Sequence, residues 1–213
     1  MTRFRLLALA ALLPSAACTT LATPPAAVQI VEEHQPEWMA AAAPADIDRI
    51  HRLDQAWREG LQQARSGGFR RAVDSEGALL DPDAALPRAA PPPGSYHCRV
   101  VKLGRQGGRG PAFAAYKPFF CYVDVDGDTL TIVKQTGSQR PAGFIYPERD
   151  DRHIFLGSMA LGDETAPLAY GDDEKRDLAG VVERVGPFRW RLVMPWPRVG
   201  AVIEVFELVP AVQ

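Results

Sequence analysis

The sequence predicts a mainly β protein: an antiparallel up-and-down, barrel-like sheet of about eight strands with one N-terminal amphipathic helix. Three observations carry that expectation. The stretch from Phe119 to Lys134 holds two alternating apolar runs around Asp126-Gly127, the strongest short-range hairpin signal. After residue 95, short apolar runs recur at regular spacing, punctuated by Gly, Pro and Asp. Phe188, Trp190, Leu192 and Met194 alternate onto one face behind a Gly186-Pro187 turn. Short antiparallel strands in sequence favour a meander, and closure into a barrel removes its hydrogen-bonding edges. An open, strongly bent sheet capped by the helix is the alternative.

In chain order, residues 1–17 read as an export leader: Arg3 and Arg5, an apolar run from Leu6 to Leu13, then small Ser15-Ala16-Ala17. Cys18 follows at the cleavage point, as in a bacterial lipoprotein, where it would be lipidated and become the mature N-terminus. Ser15 stands where a lipobox usually has Leu, so ordinary signal-peptidase cleavage with simple secretion stays open. Both readings place the protein outside the cytoplasm, in the periplasm. With Thr19 after the cysteine, lipidation would send the chain to the outer membrane. Residues 18–44 form an Ala-, Pro- and Thr-rich tether, and 45–213 a single helix-plus-barrel domain. No apolar run reaches the length of about eighteen residues that a membrane-spanning helix needs.

Ile47, Ile50, Leu53, Trp57, Leu61 and Ala64 recur at three- and four-residue steps, predicting a helix over 46–65 with Asp46 as N-cap and Gly67-Gly68 at its end. It is expected to cover an edge or an open end of the sheet. Residues 70–94, with Pro91-Pro92-Pro93, read as a stiff connector. The expected strands are 96–103, 112–125 (interrupted at Pro118), 129–135, 142–146, 153–161, 180–185, 188–194 and 202–209. Asp126-Gly127 as a two-residue loop opposes Val125 to Asp128, Val123 to Leu130 and Cys121 to Ile132, so the apolar faces meet.

If lipidation consumes Cys18, Cys98 and Cys121 remain. Both fall on inward faces of successive strands, which in an oxidising compartment predicts a disulfide. The composition, 46% hydrophobic and 23% charged, is that of an ordinary globular chain. The formal net charge is −2, and loss of the leader's two arginines leaves about −4, which does not fit a nucleic-acid binder.

Motifs for chemistry are sparse. His34, His51, His97 and His153 are scattered, so no metal site is expected. Asp124 to Asp128 fails as a calcium loop, because Thr129 stands where its Gly belongs. Gly104 to Gly110 lacks a Walker lysine and reads as a mobile loop. The candidate polar ligand or partner site is Lys134, Ser138, Gln139, Arg140, Asp163, Glu164, Asp177, Glu183 and Arg184. Alternate turns of a meander share an end, so several of these gather at one end of the barrel, as a salt-bridge network or as the mouth of a ligand site.

A further pattern runs through Pro93-Gly-Ser-Tyr-His-Cys-Arg-Val-Val-Lys-Leu-Gly104 and Lys134-Gln-Thr-Gly-Ser-Gln-Arg140. It continues through Phe155-Leu-Gly157, Tyr170-Gly171, Arg176-Asp177, Glu183-Arg-Val-Gly186 and Arg189-Trp-Arg-Leu192. Over about residues 45–210 the chain thereby resembles the exported bacterial proteins of domain of unknown function family 4893. That family brings no assigned activity, so the resemblance carries over no catalytic residue. The expected function is a non-catalytic envelope lipoprotein, without cofactor, that binds a small molecule or an envelope protein partner. The alternatives are an envelope hydrolase using Asp163, Glu164 and Asp177, and a structural assembly subunit.

Overall fold

The computed structural model describes residues 35–108, 110–198 and 200–211. The leader, most of the tether and Cys18 lie outside them. Nine strands follow four short helices: β1 (Gly94–Leu103), β2 (Phe113–Ala115), β3 (Phe119–Asp126), β4 (Thr129–Lys134), β5 (Gln139–Arg149), β6 (Arg152–Leu161), β7 (Asp177–Gly186), β8 (Arg189–Pro195) and β9 (Ile203–Pro210). From β3 to β9 each strand pairs antiparallel with the next, and β3 pairs with β1. β9 then returns to β1, from Tyr96↔Pro210 to Leu103↔Ile203. The sheet is therefore a closed barrel of β1 and β3–β9, with β2 a short extra strand on β1 beside Val101–Leu103.

The central hairpin corrects the expected register. Observed pairs are Asp126↔Thr129, Val125↔Leu130, Val123↔Ile132 and Cys121↔Lys134, so the loop is Gly127-Asp128 rather than Asp126-Gly127. Gly127 has φ +60°, at the first central position where a II′ turn places glycine. A pairing offset by two residues leaves every side chain on its expected face, so the inward row survives the error. It also sets Val125 opposite Leu130 instead of opposite a charge.

Alternation splits β1 and β6–β9 between two apolar clusters, whereas β3 and β4 feed only the inner one. Tyr96, Cys98, Val100, Cys121, Val123, Ile132, Ile145, Phe155, Leu178, Val182, Trp190, Leu192, Met194, Phe206 and Leu208 fill the lumen. Each large side chain removed from water this way contributes about 1.5–3 kcal/mol before entropy is counted. Cys98 and Cys121 are disulfide-bonded there, with Cα atoms 5.9 Å apart. The opposite faces of β1 and β6–β9 supply Val101, Leu103, Ile154, Leu156, Ala179, Val181, Val193, Ile203 and Val205, which pack outward against the helices.

Those helices differ from the expected single one. They are α1 (Glu37–Ala41), α2 (Pro44–His51), α3 (Leu53–Ala64) and α4 (Arg70–Ser75). The chain leaves helical geometry at Arg52 (φ −96°, ψ 17°), so two short helices follow the curved wall where one straight helix would leave it. Together they cover the β1 and β6–β9 side of the outer wall rather than an edge or an open end, burying Ile50, Leu53, Trp57 and Leu61. Asp46 is not the N-cap: Ala43 caps α2, Pro44 opens it, and Asp46 is buried within its first turn. α1 lies inside the stretch expected to be tether, and α4 inside the expected connector. The glycine-rich loop after β1 is pinned, since Gln106 donates to the carbonyls of Pro197 (2.5 Å) and Ala201 (2.6 Å).

Candidate functional site

The upper end of the barrel is where β1, β4 and β6 finish and β3, β5, β7 and β9 begin. There the inward rows turn from apolar to charged. On β1 the sequence Cys98, Val100, Lys102 places Lys102 next in the lumen row. On β9 Glu204 precedes Phe206 and Leu208, and it is the register partner of Lys102. On β4 Lys134 follows Ile132, and Gln139 opens β5. These four, with Lys117, Tyr116 and the apolar Val100, Phe119, Pro141, Met159 and Phe206, line a cavity of about 440 Å³.

Lys102 Nζ lies 2.5 Å from Glu204 Oε1 and 5.7 Å from the centre of the Tyr116 ring. Lys134 Nζ lies 4.3 Å from the centre of the Phe119 ring and makes no ion pair among the described residues. Burial first, then repulsion from Lys102 and Arg140, pulls the Lys134 pKa below the ordinary lysine value, against an opposing pull from Glu204. The mouth is thus an apolar cup with three amines and one carboxylate at its rim. Such a site can hold a small molecule and orient it by charge.

Of the residues singled out in the sequence, Lys134 and Gln139 line this cavity. Ser138, Arg140, Asp163, Glu164 and Asp177 reach the same end but lie outside the lumen. Arg140 donates to the carbonyls of Gly137 (2.6 Å), Gly162 (2.7 Å) and Glu164 (2.5 Å), tying the β4–β5 turn to the β6–β7 loop. Glu164 accepts from the Leu161 N–H and from Arg176 (2.6 Å), which hold its carboxyl below the usual range. The ion pairs at this end join Arg176 to Glu164 and Asp173, while Ser138 and Asp163 are exposed beside them.

Asp177 is buried and accepts from the Gly171 N–H at 3.0 Å. Burial, assisted by the charge of Asp46, raises its pKa. Asp46 is held by Arg49 and by the Tyr170 hydroxyl, which donates at 2.5 Å and accepts from the Ala43 N–H. This buried set fastens α2 and the β6–β7 loop to the barrel. Glu183 and Arg184 depart from the expected gathering, because β7 runs down to the opposite end. Glu183 pairs with the fully buried Arg191 (2.7 Å), and Arg184 donates to the Pro87 carbonyl (2.7 Å).

Sequence reasoning missed Lys102, Lys117 and Glu204. The signal for Lys102 was present, since a residue two beyond Val100 must share its face. Glu204 needed the β9–β1 closure, which no local pattern gives. Among the described residues, His, Cys, Asp and Glu do not gather in threes around a metal-sized space.

No curated protein and no solved structure matches this chain. The family model described as a domain of unknown function, DUF4893, matches residues 38–208. That span takes in all nine strands but for the last two residues of β9, together with the mouth, and the protein belongs to the DUF4893 family.

Proposed function

We propose that this protein is a non-catalytic binding protein of the bacterial envelope that takes a small molecule into the mouth of its barrel. The single observation behind this reading is the cavity of about 440 Å³, apolar below and charged at its rim, at one end of a closed barrel. The leader-like N-terminus and the Cys98–Cys121 disulfide support export, with Cys18 as the anchoring residue. The test is titration with the neutral fluorophore N-phenyl-1-naphthylamine. One saturable site is expected, and Val100→Trp, which fills the cup, is expected to abolish it. No saturable binding, or binding unchanged in V100W, would overturn the reading.

A second reading rests on the outer wall. Phe120 (48% exposed), Tyr122 (36%), Val133 (37%) and Phe144 (39%) form a strip across β3, β4 and β5, continuous through the pairs Tyr122↔Val133 and Thr131↔Phe144. Clustered exposed aromatic residues of this kind favour an envelope protein partner. The hydrolase alternative has less support. Glu164 is committed to Arg176 and a backbone N–H, Asp177 is buried against Gly171, and neither lines the mouth.

A further inference from the structure

We infer that the ligand of the mouth is a monoanionic amphiphile, whose charged head meets Lys134 while its apolar tail enters the cup. The inference rests on the binding reading above and adds the class of ligand. Lys102, Lys117 and Lys134 bring three positive charges to the rim, and Glu204 returns one, already committed to Lys102 at 2.5 Å. Of the two ammonium groups left without a carboxylate among the described residues, that of Lys117 is exposed, and that of Lys134 lies over an aromatic ring and partly out of water. A buried charge without a partner is costly, and a singly charged head removes that cost. Lys117, exposed at the same rim, adds attraction for an anion, and Gln139 adds amide N–H donors.

The cup selects the rest of the molecule. Val100, Phe119, Met159 and Phe206 present only apolar atoms below the amines. The disulfide, Phe155 and Ile145 fill the lumen beneath them, so the tail must be short or compact. A dianion would bring a second charge that no partly buried amine is left to meet, and a cation would meet three like charges. Both a free carboxylic acid and the phosphodiester head of a lipid carry the required single charge on an apolar chain.

The experiment displaces bound N-phenyl-1-naphthylamine with octanoate, octylamine and dihexanoyl phosphatidylglycerol. Octanoate is expected to displace the dye at concentrations at least tenfold lower than octylamine. Displacement by the phospholipid at still lower concentration would assign the head to a lipid, and weaker displacement to a free acid. Lys134→Met is expected to weaken octanoate at least tenfold, and the exposed Lys175→Met, which removes the same charge elsewhere, to leave it unchanged. Glu204→Gln is expected to strengthen octanoate several-fold, a gain that lost packing would not produce. Octylamine equal to octanoate, or K134M without effect on a dye-binding protein, would overturn the monoanion while leaving the binding reading intact. Failure of the dye to bind the wild-type chain would sink both.

Discussion

Arg191 shows how much a single side chain holds in this fold. It sits on β8 with no solvent exposure, donates to Glu183, and donates to the carbonyls of Leu79 (3.1 Å) and Asp81 (2.6 Å). Its guanidinium lies 5.0 Å from the Trp57 ring centre. One planar fork thus fixes the turn at Gly77–Leu80 and α3 against the barrel. Arg191→Met should cost about 3–5 kcal/mol in urea unfolding, because it strands Glu183 and several carbonyls; a loss below about 1 kcal/mol would show that the network is dispensable. The disulfide is the other residue-scale anchor. Closing 23 residues of separation should contribute about 3 kcal/mol, read as the difference between wild type and Cys98→Ser/Cys121→Ser. The disulfide was legible because parity alone placed both thiols inside. Arg191 was not, because an alternating strand marks its outward positions as solvent-facing, and only the helix packing turns that face into a second interior.

At the scale of elements, the local periods were read correctly and their punctuation was not. The inward rows of β1, β3, β4 and β8 follow from period two. The hairpin turn moved by one residue because Gly-Asp and Asp-Gly both satisfy a two-residue loop, and cross-strand pairing chose between them. β5 runs over Gln139–Arg149, far beyond the expected core at 142–146. Pro141 and Pro147 hid its ends, and a register shift between Pro147 and Arg149 accommodates the second. The centre of that pairing is Gly143↔Gly157, where a Cβ on Gly143 would stand 2.2 Å from the Leu156 carbonyl oxygen. Two glycines face to face let β5 and β6 fold sharply around the barrel. Gly143→Ala should therefore destabilise by more than the roughly 1 kcal/mol of ordinary strand effects, measured by thermal unfolding. A wild-type midpoint would show that the strands have room to move apart.

Closure into a barrel was legible for the whole molecule, because a meander of short strands has edges to dispose of. The location of the site was legible only in part. Lys134 and Gln139 stood in the predicted set, but their partners Lys102 and Glu204 come from strands far away in sequence that meet only when β9 returns to β1. Two pH effects follow at this scale. Burial holds the His153 pKa below the ordinary histidine value, so on acidification the unfolded chain takes up its proton first. Stability should fall as pH drops through the ordinary histidine range toward the folded-state pKa, and the part due to this group should vanish in His153→Gln. At the mouth, octanoate binding needs Lys134 protonated. Affinity should be lost on raising the pH through the depressed Lys134 pKa, earlier than for an ordinary lysine. At the N-terminus, the proposed anchor predicts a diacyl or triacyl mass on Cys18 in protein isolated from its membrane, read by intact mass spectrometry.

The most direct test of the account is a ¹H–¹⁵N NMR titration of the described domain within the full mature chain with octanoate. The account predicts saturable shifts confined to the mouth, at Val100, Lys102, Phe119, Lys134 and Glu204, with Phe120, Tyr122 and Phe144 on the outer wall unmoved. Shifts along the outer strip with a silent mouth would contradict it.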